Sequence, residues 1–187
     1  AIRYARREPL RAVPAAGCWE CRAARARMQR FVRLEPKLKD RPWKPNVTVA
    51  AVIERDGRFL LVEEETPEGL RFNQPAGHLE EGESLLEATV REALEETAQH
   101  FVPEYLVGIY QWTRPQGDIT YLRFAYGGRI DGEDVGRRLD EGIVRAVWMT
   151  IDEVRATADR HRSPLILQCI EDWLGGQRFP LAVVRHA

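Results

Sequence analysis

The chain has 187 residues, with 28 Lys and Arg against 29 Asp and Glu, a formal net charge of -1. That length suits one domain with an appendage, and a domain of this size buries a core without disulfide staples. No apolar run approaches the roughly 18 residues of a membrane-spanning helix. The three cysteines, Cys18, Cys21 and Cys169, are too few for a disulfide framework and point to a reducing compartment, hence a cytoplasmic location.

The charge is unevenly spread. Residues 1–45 carry 13 Lys and Arg against 4 Asp and Glu, which leaves 15 against 25 for the rest. The basic stretch, residues 1–42, is broken by Pro9, Pro14, Pro36 and Pro42. A helix over Cys21–Leu34 would spread its arginines over every face. Cys18 and Cys21 form a C-x-x-C pair with no second pair after it, so two free thiols are expected rather than a zinc site. The first Met is Met28. The expectation is that residues 1–27 are a disordered extension or lie outside the natural mature protein. Residues 43–187 form the working domain.

The predicted elements follow in order. Val47–Glu54 and Arg58–Glu64 are strands joined by the turn pair Asp56-Gly57, which makes a hairpin. Pro67 and Gly69 mark a loop, and Leu70–Phe72 a short strand. Gln74–Gly77 is a loop leading into a helix from Ser84 through Thr97. Val107–Trp112 and Ile119–Tyr126 are strands around a Pro115–Gly117 turn, and Ile143–Met149 is another. Thr150 and Glu153 are spaced as a capping box for a short helix. Ser163-Pro164 opens a last helix that Gly175-Gly176 closes. This order implies an α/β fold with a mixed sheet and helices on both faces.

The chemistry concentrates in the first of these helices. Glu92 and Glu96 are i,i+4 neighbours, and Glu95 lies three positions from Glu92. Like charges at that spacing repel, so the arrangement costs stability by itself. A hard divalent cation, which prefers oxygen ligands, reverses the sign. A solvated acidic face is the commoner fate of such runs. Arg91 stands within the acidic stretch and can orient Glu83 or another carboxylate through a bidentate pair.

Gly77, Glu83, Arg91, Glu92, Glu95 and Glu96 fit six of the seven fixed positions of the Nudix box, G-x5-E-x7-R-E-U-x-E-E-x-G-U. Ala98 and Gln99 depart from its closing Gly and apolar residue, and Ala93 is small for its slot. Residues 43–182 resemble the NudJ-type bacterial Nudix phosphatases through Asn73-Gln-Pro-Ala-Gly-His, Gln111-Trp112, Arg162-Ser-Pro-Leu and Gly176-Gln-Arg-Phe-Pro-Leu. The resemblance implies an α/β/α sandwich with a mixed sheet. It also implies hydrolysis of nucleoside tri- and diphosphates and of thiamine or hydroxymethylpyrimidine pyrophosphate, with Mg²⁺ as cofactor and Mn²⁺ as a substitute. Glu92 and Glu96 would be metal ligands, Glu95 a further ligand, and the Ala76 or Gly77 carbonyl part of the shell. Gly77, Glu83 and Arg91 would shape the motif.

The general base is open between Glu95 and Glu141. Glu141 precedes the Ile143 strand, and a surface loop charge is the commoner reading for such a residue. For substrate, Trp112 is the preferred ring-stacking residue, Gln74 and His78 flank the box, and Arg123 and Arg178 are candidates to hold a terminal phosphate. The expected partner is a small phosphoanhydride, with neither nucleic acid nor membrane, and the protein a monomer or small homo-oligomer. Rival readings are a nucleotide-sugar or dinucleotide pyrophosphohydrolase and a non-catalytic nucleotide-sensing module. A third is nucleic-acid binding through the basic N-terminus, which predicts steep salt dependence. Cys169 reads as buried packing rather than a nucleophile.

Overall fold

Asp56 and Gly57 sit at φ of 54° and 76°, the left-handed conformations that a two-residue hairpin turn requires. They join β1 (Asn46–Arg55) to β2 (Arg58–Thr66). In the computed structural model, which describes residues 42–186, these strands pair at the turn, Arg55 with Arg58 and Glu54 with Phe59, and then part. The readings made for residues 1–41, including the basic extension, Cys18 and Cys21, lie outside the described residues.

Each half of the parted hairpin builds its own sheet. β2 takes β3 (Gly69–Asn73) on one edge and β7 (Ile143–Thr150) on the other, both antiparallel. β1 pairs with β4 (Ala76–His78) through Thr48–His78 and Val49–Gly77. On its other edge β1 runs parallel to β6 (Thr120–Glu133), from Asn46–Tyr121 to Ile53–Gly128. β5 (Gln99–Thr113) closes that side, antiparallel to β6.

The mixed sheet expected from the sequence is therefore present. Two details differ. Ala76 and Gly77, read as part of a Gln74–Gly77 loop, form a short strand with His78, because β1 offers it a free edge. β5 and β6 are longer than their apolar cores suggested. The signal was interrupted by Pro103 and by Gly127-Gly128, residues that normally demote a strand. Here Pro103 sits at a register shift on an edge strand. A Cβ on Gly128 would come within 2.0 Å of the Val102 carbonyl oxygen, so glycine is what allows the two backbones to approach.

The sheets bury apolar side chains on both faces, and β1 shows it by alternation. Ala50 and Val52 join a core with Phe59, Leu61, Val107 and Ala125, covered by Ile166, Cys169 and Ile170 of α3 (Leu165–Leu174). Ala51 and Ile53 face the other way, toward Leu60, Phe101, Leu106, Tyr126 and Ala93 of α1 (Leu85–Thr97). Helices thus cover both faces. The short α2 (Ile151–Ala156) starts at Thr150 with the expected capping box to Glu153. Cys169 is fully buried, as read. Among the described residues no helix is long and apolar enough to cross a membrane.

Candidate active site

α1 is fixed at both ends. The Glu87 N–H donates to Ser84 Oγ at 3.2 Å and the Ser84 N–H to Glu87 Oε2 at 2.8 Å, a complete capping box. At the other end Ala98 takes φ 58° and donates its N–H to the Leu94 carbonyl at 2.9 Å. This is the left-handed cap that glycine usually supplies, so the Ala there carries strain of about 1 kcal/mol. The buried side of α1 includes Ala88 and Ala93 together with Glu92 and Glu96. The small residues bring the helix close to the sheet and carry the carboxylates in with them.

Those two carboxylates are held differently. Glu96 Oε2 accepts the Ala76 N–H of β4 at 2.9 Å. Burial pushes its pKa up to about 8, against that hydrogen bond and with the nearby Glu92 and Glu64 charges adding to the rise. Burial also raises Glu92, opposed by Arg91. Gly77 makes room for Glu92: a Cβ at Gly77 would lie 2.0 Å from Glu92 Oε1. Both carboxylates are thus destabilised as anions by their surroundings, the condition that a cation relieves.

Arg91 ties the rest together. Its Nε and one terminal nitrogen donate to the two oxygens of Glu83 at 3.0 and 2.7 Å, a bidentate pair. The other terminal nitrogen donates to Glu92 at 2.8 Å and to Glu95 at 3.1 Å. The His78 carbonyl accepts a fifth bond at 3.1 Å. The pair with Arg91 holds the Glu83 carboxyl below its ordinary value, and the Glu80 N–H adds to this. Guanidinium, loop and helix therefore form one rigid unit from residue 78 to residue 95.

A cleft of about 970 Å³ opens beside this unit. Glu92, Glu96, Gly77, His78, Trp112 and Arg123 all line it. Trp112 stacks on Tyr121 with ring centroids 5.9 Å apart and 15° between planes, and the His78 ring is 6.3 Å from Tyr121. Arg123 is 8% exposed, and burial lowers its pKa.

The other predicted residues fall elsewhere. Gln74 does not line the cleft: it is buried and accepts from Arg123 at 3.4 Å. Glu95 turns to Arg91 at the helix edge. Glu141 is exposed and outside the cleft. Its neighbour Asp140 is the carboxylate of that loop whose charge reaches Glu92 and Glu96. Arg178 also lies outside the cleft, stacked over Tyr105 and Trp173 and donating to the Trp173 and Gln177 carbonyls.

Sequence reasoning missed Thr48, Glu64, Arg162 and Ser163, all of which line the cleft. Glu64 is buried and paired with Arg162. A carboxylate ending an apolar strand gave no local sign of this, because its partner lies 98 residues away.

The donor set suits a hard divalent ion. Glu92 and Glu96 are oxygen donors one turn apart on a buried face, next to the backbone of Gly77. Among the described residues no three His, Cys, Asp or Glu side chains form a ready cage. Mg²⁺ does not need one, since it is usually held by one or two carboxylates with waters and substrate oxygens.

Comparison with known proteins gives consistent matches. A family model described as NUDIX domain matches residues 42–169. Phosphatase NudJ of Escherichia coli strain K12 is 37% identical over 142 residues, covering 76% of this chain and 92% of that protein. A solved structure of a NUDIX hydrolase from Nitrosomonas europaea is 55% identical with a TM-score of 0.74, covering 77% of this chain and 98% of its own. A MutT NUDIX hydrolase from Burkholderia pseudomallei, at 21% identity and a TM-score of 0.59, covers 70% of this chain and 98% of its own, and shares the fold.

Proposed function

The chain belongs to the Nudix family of hydrolases, and from that premise we propose a Mg²⁺-dependent phosphatase acting on small phosphoanhydrides. Its substrates on this reading are nucleoside tri- and diphosphates and thiamine or hydroxymethylpyrimidine pyrophosphate. The observation that carries the reading is the pair Glu92 and Glu96, buried one helical turn apart and facing a cleft of about 970 Å³. The 37% identity to a phosphatase over 142 residues supports phosphate release as the outcome.

In this mechanism Glu92 and Glu96 would hold the ion together with the Gly77 carbonyl. When bound, it would screen phosphate oxygens and acidify water. Arg91 keeps Glu92 and Glu95 in place and so fixes the geometry in which water meets phosphorus. Phosphoryl transfer needs little else from a protein than positioning and charge neutralisation. Glu95, which Arg91 holds beside Glu92, takes the proton from the attacking water. Trp112 stacks the organic ring, while His78 and Arg123 line its path.

A panel of thiamine pyrophosphate, nucleoside di- and triphosphates, ADP-ribose and diadenosine polyphosphates with Mg²⁺ or Mn²⁺ tests this, read by phosphate release and product mass. Inorganic phosphate is the expected product. Two organic monophosphates would make the protein a pyrophosphohydrolase of nucleotide sugars or dinucleotides. Binding without turnover on every substrate would make it a sensing module.

A further inference from the structure

Arg123 is a cation buried without a counterion. It is more than nine-tenths buried, and among the described residues its one hydrogen bond is a long one, from a terminal nitrogen to Gln74 Oε1 at 3.4 Å. A buried charge in that state is costly unless something else offsets it. Its Nε is sealed from solvent. The second terminal nitrogen also lacks a partner among the described residues but is not sealed, so it is the end of the guanidinium that meets the cleft.

The N-terminus of α3 opens on the same cleft through Ser163, Pro164 and Leu165. No side chain caps it, and the Leu165 N–H finds no acceptor among the described residues. Such an end carries partial positive charge and free N–H groups. Arg123 shares a face of β6 with Ala125, which packs in one core cluster with Leu165 and Ile166. Arg162, just before α3, also lines the cleft. Burial lowers the pKa of Arg123, and the charge of Arg162 works in the same direction, so the two cations stand close enough to repel. Glu64 does not cancel them toward the cleft: Arg162 takes one of its oxygens and the other is sealed.

This cationic end is separate from the carboxylate end. The pairs Arg123–Thr48 and Thr48–His78 put Arg123 two strands, about 10 Å, from His78, the neighbour of Gly77. We propose that Arg123, Arg162 and the N-terminus of α3 form an anion subsite that works without metal and holds a second phosphate group of the substrate, beyond the one that faces Glu92 and Glu96. The proposal rests on the cleft being the substrate site. A phosphate there offers acceptors to the free nitrogen of Arg123 and to the Leu165 N–H, and relieves the repulsion between the two guanidiniums.

The test is calorimetric titration of the full chain, freed of metal on a chelating resin, with inorganic phosphate and with inorganic pyrophosphate. At least one of them is expected to bind with a Kd of about 1 mM or tighter. Arg123→Met is expected to weaken that binding roughly tenfold or more. Its melting temperature without anion should stay level or rise, because an unpaired buried charge has been removed. Failure of both anions to bind the wild type overturns the proposal, and that result depends on no variant. Arg123→Met that binds as tightly as the wild type overturns it too. So does a variant that unfolds or melts well below the wild type, since Arg123 would then be a structural cation. A protein that binds phosphate here but turns over nothing in the substrate panel would sink the phosphatase reading and leave this one standing. Turnover of the panel without metal-free binding would do the reverse.

Discussion

The helix side of the cleft and its floor handle polar groups in opposite ways. On the helix side Arg91 makes five hydrogen bonds within residues 78–95, and Glu96 is held by the Ala76 N–H. On the floor, Thr48, Glu64, Arg123 and Ser163 each keep an atom without a partner among the described residues. The first region is preorganised from within by contacts close in sequence. The second comes from β1, β2, β6 and the entrance to α3, elements far apart in the chain. Preorganisation suits the reacting end, where small displacements are costly.

The largest effect should come from Glu96→Gln, which keeps the shape of the side chain but removes its charge. The Mg²⁺-dependent kcat is expected to fall by about 100-fold or more; retention of a tenth of it would break the distinction between the two sides. Gly77→Ala places a methyl group within 2.0 Å of Glu92 Oε1. Steady-state kinetics should show kcat lowered by roughly 10- to 100-fold with KM little changed, because a displaced ligand costs positioning more than binding.

Arg91→Lys keeps a positive charge but loses the fork that spans Glu83, Glu92 and Glu95. The Arg91 side chain is 24% exposed, so urea unfolding should show a loss of about 1–2 kcal/mol rather than the larger cost of a fully buried pair. A loss below detection would mean that the helix side is not organised by this residue.

Acid stability separates these regions from a structural ion-pair cluster next to them. Hydrogen bonding from Arg145 foremost, and from Arg160, holds the Glu63 carboxyl below its ordinary 4.5. A lowered folded value means that the contribution is present above 4.5 and is lost as pH falls through the folded value. Glu63→Gln should therefore flatten the fall in melting temperature below pH 4.5 without changing its course above pH 6. Parallel curves for the two proteins would contradict the assignment. The smallest effect is expected at the end of α1. Ala98→Gly relieves a residue at φ 58° and should raise stability by about 0.5–1 kcal/mol, seen as a melting-temperature gain of a few degrees.

Gly77, Arg91 and the glutamates of α1 were legible because they follow one helix and its lead-in. A spacing of four residues places two side chains on one face whatever surrounds them. The hairpin at Asp56-Gly57 and the caps at Ser84, Thr150 and Gly175 were legible for the same reason: each is settled by a few neighbouring residues. Local pattern also misled, since Pro103 and Gly127-Gly128 hid the full length of β5 and β6. Arg178 looked like a phosphate ligand because its cation is visible in the sequence, but the aromatic faces of Tyr105 and Trp173 that hold it are 73 and 5 residues away.

The sequence by itself determined the carboxylate helix, the order of elements and the resemblance that named the chemistry, all through short-range periodicity and spacing. Tertiary structure alone decided which residues face the helix across the cleft. Thr48 meets Arg123 through the β1–β6 register, and Glu64 meets Arg162 across 98 residues. No local preference encodes such a meeting. It follows from β1 and β2 parting after their turn, when each strand takes other neighbours and the sheets they build leave polar side chains buried around one opening.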